Sequence, residues 1–321
     1  AWGVAKYYLG KKVFRVADGL TVGGSAVLIV SILLEALYVN NSAAVSRYGI
    51  MPCGMLIFVL LIAGIYFSAY QLSAAYPKFE YTLNAMTFVF LIAVPILTMR
   101  VLAEERKQKT DQLLLTSPVS VSGIVMGKYL ALVTIYAIPI AVLATYPLIM
   151  SKFGTVAFGS AYTALLGFFL LGSANIAIGV FFSAITESQV IAAVLTFVFL
   201  FAFYMMNGIS SFFSETAMST CVTFGILIIA LSLMIYSMIK NAVISGVVCV
   251  IGEVALVIVY VVKSSVFEGG IQKVLEVFNL SSHFENFTNS IFDVTGVLYF
   301  LSVIAICIFL TMQTILKRRW N

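Results

Sequence analysis

Long apolar runs separated by short polar breaks dominate this sequence and leave few folds open to it. Several runs reach the ~20 residues that a helix needs to cross a hydrocarbon core of about 30 Å. Only 10% of the residues are charged, against roughly 25% in a typical soluble domain. The runs are continuous rather than alternating, which favours helices over the strands of a membrane barrel. The sequence therefore predicts an all-α, polytopic membrane protein.

Eight membrane spans are predicted from residue 50 onward. They are Ile50–Tyr70, Leu83–Met99, Tyr129–Met150, Gly159–Ile185, Val190–Ile209, Thr220–Ile239, Ala242–Val262 and Val294–Ile315. An earlier apolar segment, Leu20–Val39, contains Glu35 and fits either a crossing or an interfacial helix. We therefore treat residues 1–48 as a separate membrane-associated segment and residues 49–321 as the transmembrane domain.

The distribution of basic residues predicts which side of the membrane each loop faces. Cytoplasmic loops carry an excess of Lys and Arg. If residues 100–128 are cytoplasmic, alternation places ten basic residues inside and four outside, with residues 1–19 left aside. The protein is then expected in the cell (plasma) membrane with its C-terminus in the cytoplasm. The inside set is Arg47, Arg100, Arg106, Lys107, Lys109, Lys128, Lys240, Lys317, Arg318 and Arg319, and the outside set is Lys78, Lys152, Lys263 and Lys273.

The polar stretch at residues 100–128 is the candidate functional segment. Ala103–Leu115 lacks Gly and Pro and predicts a helix, charged all round in its first half and so projecting into water. Ser117-Pro118 predicts the N-cap and first position of a second helix. Helix, sharp turn and helix, continuous with two spans, could transmit a push from a cytoplasmic protein. An ordinary solvated loop is the alternative.

This stretch carries a family resemblance. The run TMRVLAEERKQKTDQLLLTSPVSVSGIVMGKYLA resembles the signature segment of type-2 ABC transporter permeases, most closely that of the gliding-motility-associated branch. The runs VIGEVALVIVY, FEGGIQKVLEVFNLSSHFENFTNSIFDVTGVLYFLSV and KRRW extend the resemblance to the C-terminus. A hairpin at residues 220–262 is an addition to the six spans of many relatives. The matching residues are Arg100, Glu104, Glu105, Arg106, Thr110, Leu113, Leu114, Ser117, Pro118, Gly127 and Lys128.

The resemblance implies a permease subunit that contacts a separate cytoplasmic ATPase subunit and works as a homo- or heterodimer. ATP and Mg would then be bound by that ATPase. Residues 123–129 fall short of a P-loop, because three residues separate the glycines and Tyr129 replaces the Ser or Thr. The chain itself is therefore expected to bind no cofactor and to be no enzyme. The residues that the resemblance implicates in ATPase coupling are Arg100, Glu104, Glu105, Arg106, Thr110, Leu113, Leu114, Pro118 and Lys128.

Polar residues inside the spans form a second set of candidates. Glu253 lies within Ala242–Val262, where an ionisable group is costly and by default functional. A structural hydrogen bond is the alternative role for Glu253 and also for Asn175 and Glu35. The single histidine, His283, and cysteines without a CxxC pair predict no metal site.

The polar segment 263–293 is predicted to lie outside, with an amphipathic helix. Apolar residues at Ile271, Val274, Leu275 and Phe278 have helical spacing. Such a helix would cover the dimer or dock an extracytoplasmic subunit. Two further functions stay open: an ATP-driven mechanical or sensing complex without cargo, and an ion-coupled secondary transporter that uses Glu253. The sequence does not identify a substrate.

Overall fold

The computed structural model describes residues 50–73, 78–109, 120–152, 154–214, 216–239, 242–264, 267–289 and 293–319. The regular elements among these residues are all helices. The segment Leu20–Val39, with Glu35, falls outside the described residues. The chain divides into two compact units: one contains residues up to Phe201 together with His283–Asn321, and the other is Ala202–Ser282.

The first unit contains most of the long helices. In chain order they are α1 (Ile50–Tyr66), extended by a π-helical segment (Phe67–Ser73), α2 (Glu80–Ala85), a 3-10 turn (Met86–Val89), α3 (Phe90–Thr98), α4 (Ala103–Lys107), α5 (Val121–Leu143), α6 (Tyr146–Met150), α7 (Phe158–Ile185) and α8 (Gln189–Tyr204). The second unit holds α9 (Met206–Ser211), α10 (Ala217–Ile239), α11 (Ala242–Val262) and α12 (Gly270–Val277). Two last helices, α13 (Leu280–Thr288) and α14 (Val294–Arg319), end the chain.

Five stretches of the described residues are long and apolar enough to cross a membrane. They are Glu80–Lys107, Val121–Met150, Phe158–Ile185, Ser245–Val262 and Val294–Arg318. Three shorter apolar helices accompany them, at Ile57–Ala69, Gln189–Tyr204 and Ala217–Ala230. Each of the eight predicted spans thus falls on an apolar helix, and five reach spanning length. The all-α, multi-pass class that the sequence predicts is confirmed.

Helix α7 forms the centre of the first unit. All residues from Leu171 to Val180 are buried, and the helix packs against α3, α5 and α14. Small residues permit this, since a Cβ on Gly172 would overlap the ring of Tyr136 and one on Gly179 would overlap Thr98. Without a hydrophobic driving force between helices in lipid, such close packing is a main source of association.

Two tyrosines fix α5 against α7. The Tyr136 hydroxyl donates to the carbonyl oxygen of Phe168 at 2.8 Å. Nearer the start of α5, the Tyr129 hydroxyl donates to the carbonyl oxygen of Ser173 at 3.2 Å. Because these bonds join side chains to backbone, they set the register of the two helices.

The second unit is built on the hairpin of α10 and α11. The Ser245 hydroxyl donates to the carbonyl oxygen of Ser232 at 2.6 Å, and Gly252 leaves room for the side chain of Ile228. The predicted amphipathic helix is present as α12, which packs on α9 and α10. Its Ile271 is buried, whereas Phe278, just after the helix, is exposed.

The polar stretch after α3 differs from the prediction. The predicted helix over Ala103–Leu115 is wrong, because α4 ends at Lys107. Two residues later, Lys109 has a φ of 56°, and a left-handed residue cannot continue a right-handed helix. The predicted projection into water is also wrong at its start, since Ala103 is buried. Ser117 and Pro118 lie outside the described residues, and the N-cap of α5 is Ser120, whose Oγ accepts from the N–H of Gly123 at 3.3 Å.

Candidate functional site

The candidate site is the elbow, which we define as residues 100–109 and 120–128. Ser183, at the end of α7, anchors it. The backbone N–H groups of Leu102 and Ala103 both donate to the Ser183 Oγ at 3.1 Å, and this hydroxyl donates to the carbonyl oxygen of Met99 at 3.4 Å. The first N–H groups of a helix have no partner within it. A fully buried Ser183 therefore caps α4 from another helix.

Arg106 makes the second connection between the elbow and α7. Its Nη1 donates to the carbonyl oxygen of Ala184, and its Nη2 lies 3.5 Å from Oε1 of Glu187. The Arg106 side chain is only 7% exposed, whereas Glu187 is 67% exposed. The bond to Ala184 is therefore the protected one, and the ion pair is screened by solvent and weak.

Glu187 joins the elbow to the last helix of the chain. Nη2 of Arg318, near the end of α14, also lies 3.5 Å from the Glu187 Oε1. One carboxylate thus pairs with two guanidinium groups that are far apart in sequence. The elbow, the turn between α7 and α8, and the end of α14 meet at the same end of the first unit.

Lys128, on α5, joins the two parts of the elbow. Its Nζ donates to the carbonyl oxygen of Val101 at 2.8 Å and forms a salt bridge with Glu105. The Lys128 side chain is 19% exposed and that of Glu105 is 34% exposed. Partial burial strengthens such contacts relative to a fully exposed pair. Movement of α4 is thereby linked to movement of α5.

The remaining predicted coupling residues divide into described and undescribed ones. The Nε2 of Gln108 donates to Oε1 of Glu104 at 3.2 Å. Among the described residues, neither Oε2 of Glu104 nor Nε of Arg100 has a hydrogen-bond partner, although both atoms are buried. Lys107, Gln108 and Lys109 are exposed. Thr110, Leu113, Leu114 and Pro118 lie outside the described residues.

The geometry of the elbow suits mechanical transmission. Residues 107–109 form an exposed end of the elbow. Closer to the core, the elbow contacts α7, α5 and, through Glu187, α14. These contacts are hydrogen bonds to backbone carbonyl groups and ion pairs between side chains. A contact that displaces the exposed end would therefore act on three long helices.

The chain matches a known protein family over a region that includes the elbow. Residues 65–220 match the model of the ABC-2 family transporter protein family. The match supports an ABC-2 type permease. No curated protein sequence matches the chain.

The match to the permease family covers just under half of the chain. It includes the elbow, α7 and Glu187, and it ends at residue 220, near the start of α10. The added hairpin predicted at residues 220–262 therefore lies almost entirely beyond the matched residues. Arg318 lies beyond it too, so the Glu187–Arg318 contact joins a matched part to an unmatched one.

The intramembrane candidates Asn175 and Glu253 have separate surroundings. Asn175 is 7% exposed, in the buried part of α7. In the second unit, a Cβ on Gly225 would lie 3.3 Å from Oε2 of Glu253, so the carboxylate occupies space that the glycine leaves. Oε1 of Glu253 is buried without a hydrogen-bond partner among the described residues. The structural hydrogen bond considered for Glu253 is thus not seen at Oε1.

Sequence reasoning missed two residues of the elbow contacts, Ser183 and Glu187. Both lie near the short break SAITES between two apolar helices. A lone glutamate in a three-residue polar turn, on the same predicted side as residues 100–128, was the available signal. The contacts themselves join residues about 80 positions apart in the sequence: Ser183 accepts from residues that precede it by 80 and 81 positions.

Proposed function

We propose that this chain is the membrane subunit of an ATP-driven transporter and that the elbow receives force from a separate ATPase subunit. The family match supports the permease class. The observation that carries the coupling role is the capping of α4 by Ser183, which joins the elbow to the central helix α7.

In this mechanism the ATPase subunit binds the exposed end of α4 and residues that follow it. Closure of the ATPase on ATP tilts α4. The bonds of Arg106 to Ala184 and of Lys128 to Val101 carry that tilt into α7 and α5. The spans then shift relative to a second permease copy, homologous or identical, and open a path for export or rearrangement of a substrate.

Several further features belong to the same proposal. The elbow and C-terminus face the cytoplasm of a cell with a plasma membrane, as the ten-to-four distribution of basic residues supports. An extracytoplasmic auxiliary subunit binds near α12. Kinship with the gliding-motility-associated branch rests on the sequence resemblance. ATP and Mg are bound by the partner, and the chain itself is no enzyme.

Charge reversal tests the coupling role. The variant Glu104→Lys/Glu105→Lys is co-expressed with the ATPase subunit of the proposed complex, and the purified complex is assayed for association and permease-stimulated ATP hydrolysis. We expect stimulation to be lost. The matched control is Glu268→Lys/Glu276→Lys, which reverses two exposed charges of the second unit. If association and stimulation both survive in the elbow variant, the elbow is not the coupling element.

An ion-coupled transporter is the second candidate, because Glu253 has a buried carboxylate oxygen without a partner among the described residues. A single intramembrane carboxylate can carry a proton across the bilayer. Proteoliposomes that contain only this chain separate the two functions. Transport that requires a proton gradient, needs no ATP and is abolished by Glu253→Gln would favour this candidate over the ATP-driven one.

A further inference from the structure

A polar cavity of about 170 Å³ lies in the first unit where α2 begins. Glu80 is the first residue of the candidate span Glu80–Lys107, so the cavity lies at one end of that span, and in a bilayer this end would meet the lipid headgroups. Residues of α2 and of the end of α13 form it: Lys78, Glu80, Tyr81, Asn84, Thr288 and Asn289.

Glu80 distinguishes this cavity from an ordinary surface depression. The residue is only 5% exposed, and its Oε2 is buried without a hydrogen-bond partner among the described residues. A buried carboxylate oxygen without a partner is strongly unfavourable. A positively charged group that enters the cavity would remove this penalty.

The remaining lining favours a cation that donates hydrogen bonds. The Thr288 hydroxyl donates its proton to the carbonyl oxygen of Glu285 at 2.8 Å. Toward the cavity this hydroxyl can therefore act only as a hydrogen-bond acceptor. Thr288 and Asn289 stand at the C-terminal end of α13, where the helix dipole attracts positive charge. A calcium ion takes six to eight oxygen ligands, usually with several carboxylates, whereas Glu80 is the single carboxylate among the described residues that line the cavity.

Lys78 adds a second requirement. It is exposed while Glu80 is buried, so the carboxylate lies deep in the cavity and the ammonium group lies nearer to solvent. A ligand that satisfies both carries a cation at its tip and an anion next to it. We propose that this cavity binds the primary ammonium group of a phosphoethanolamine headgroup, with Glu80 as its counter-ion and Lys78 beside the phosphate.

Both walls of the cavity are held by contacts outside it. Gln71, in the π-helical segment, accepts from the Thr82 hydroxyl at 2.5 Å and donates to the carbonyl oxygen of Lys78 at 3.1 Å. On the other wall, the Asn286 amide donates to Asp293 at 2.9 Å. A preformed site loses less free energy to ordering when it binds.

The headgroup can belong to phosphatidylethanolamine or to free phosphoethanolamine, and binding to the whole chain distinguishes them. The full-length protein is purified into nanodiscs of phosphatidylcholine with a small fraction of phosphatidylethanolamine, and native mass spectrometry counts the bound lipids. We expect enrichment of phosphatidylethanolamine, because the quaternary ammonium of phosphatidylcholine has no proton to donate. Displacement of bound phosphatidylethanolamine by free phosphoethanolamine would show that the headgroup alone is sufficient for binding. Binding of free phosphoethanolamine without enrichment of phosphatidylethanolamine would assign the site to the free solute.

Three variants test the named residues without involving an ATPase. Loss of a charge-assisted hydrogen bond lowers affinity about tenfold, which is the decrease expected for Glu80→Gln. Lys78→Gln changes an exposed side chain, so it folds normally, and it should also weaken binding. Glu285→Gln removes an exposed charge of α13 outside the lining and should change nothing. Equal binding by wild type and Glu80→Gln would overturn the proposal. So would the combination of no enrichment of phosphatidylethanolamine and no binding of free phosphoethanolamine.

Discussion

The ammonium group of Lys128 donates a hydrogen bond to the carbonyl oxygen of Val101 at 2.8 Å, across 27 positions of sequence. The same group pairs with Glu105. Through Lys128, helix α5 therefore contacts both a backbone carbonyl group and a carboxylate in the first part of the elbow. The elbow is a fixed part of the first unit on both sides of residues 110–119.

Removal of the Lys128 ammonium group should loosen the elbow. In Lys128→Met the carbonyl oxygen of Val101 and the carboxylate of Glu105 lose a charged partner, which costs about 1.5–3 kcal/mol of unfolding free energy. Chemical denaturation in detergent micelles measures the change. Lys152→Met, at an exposed position, is the control and should stay within about 0.5 kcal/mol of wild type. Equal stability of the two variants would contradict the structural role of Lys128.

Removal of the Ser183 hydroxyl should free the start of α4. Ser183→Ala leaves the N–H groups of Leu102 and Ala103 without their acceptor, and loss of such a cap costs about 1–2 kcal/mol. Trypsin cleavage after Lys107 and Lys109 should then be faster by a factor of roughly 5–30. Ser160→Ala, at the other end of α7, removes only an exposed hydrogen bond to the carbonyl oxygen of Ala157 and should leave cleavage unchanged. Unaltered cleavage in Ser183→Ala would exclude the capping role.

The ion pairs of Glu187 should be weak and sensitive to salt. Glu187 is 67% exposed, and exposed pairs contribute about 0.2–1 kcal/mol. Double-mutant cycles that combine Glu187→Gln with Arg106→Gln and with Arg318→Gln measure each coupling energy. Both energies should fall in about 1 M salt, where charges are screened over roughly 3 Å. A coupling energy above about 2 kcal/mol, unchanged by salt, would show a buried network instead.

Two glycines of α7 should respond to alanine in opposite ways. A Cβ on Gly179 would overlap the buried side chain of Thr98, and overpacking of this kind costs about 1–3 kcal/mol. A Cβ on Gly159 meets no atom within 4 Å, so Gly159→Ala should be neutral or stabilise the helix by up to about 1 kcal/mol. Thermal unfolding of both variants measures the difference. Equal effects would mean that α3 and α7 are not in close contact.

Asp293 should give the protein a pH-dependent contribution to stability on the acid side. The hydrogen bond from Asn286 lowers the pKa of this carboxyl, aided by backbone donors that include the N–H of Thr295 at 2.9 Å. A lowered folded pKa means that the contribution is complete above the unfolded value of about 3.9 and is lost as the pH falls through the folded pKa.

Unfolding temperatures measured against pH test this contribution. The difference between wild type and Asp293→Asn should shrink as the pH falls below about 3.9. In Asn286→Ala the folded pKa rises toward the ordinary value, so the contribution should be smaller and its loss should be complete at a higher pH. A difference that is independent of pH would show that the carboxyl is not held by these donors.

The length of apolar runs is sufficient to predict the long helices. Gly159–Ile185 was predicted as a span, and α7 covers Phe158–Ile185, because an uninterrupted apolar run of this length has one stable form in a bilayer. The amphipathic helix near Ile271 also followed from its spacing. These are local properties of the chain, and sequence patterns report them directly.

Contacts between distant residues were not predictable in the same way. The helix formers of residues 103–115 indicated a longer α4, but the helix ends at Lys107 and its start is held by Ser183. Glu80 stands in the polar break between the predicted spans Ile50–Tyr70 and Leu83–Met99, which indicates an exposed residue, whereas packing buries it. In both cases the decisive partner lies on another helix, and one sequence carries no record of which helices are neighbours.

The contact between α7 and α14 has a consequence for biogenesis. Helix α7 packs against the final helix of the chain, and Phe287 fills the space over both Gly167 of α7 and Gly296 of α14. The core of the first unit is therefore incomplete until α14 has been synthesised. Chains that stop before Val294 leave the small-residue face of α7 without this partner helix.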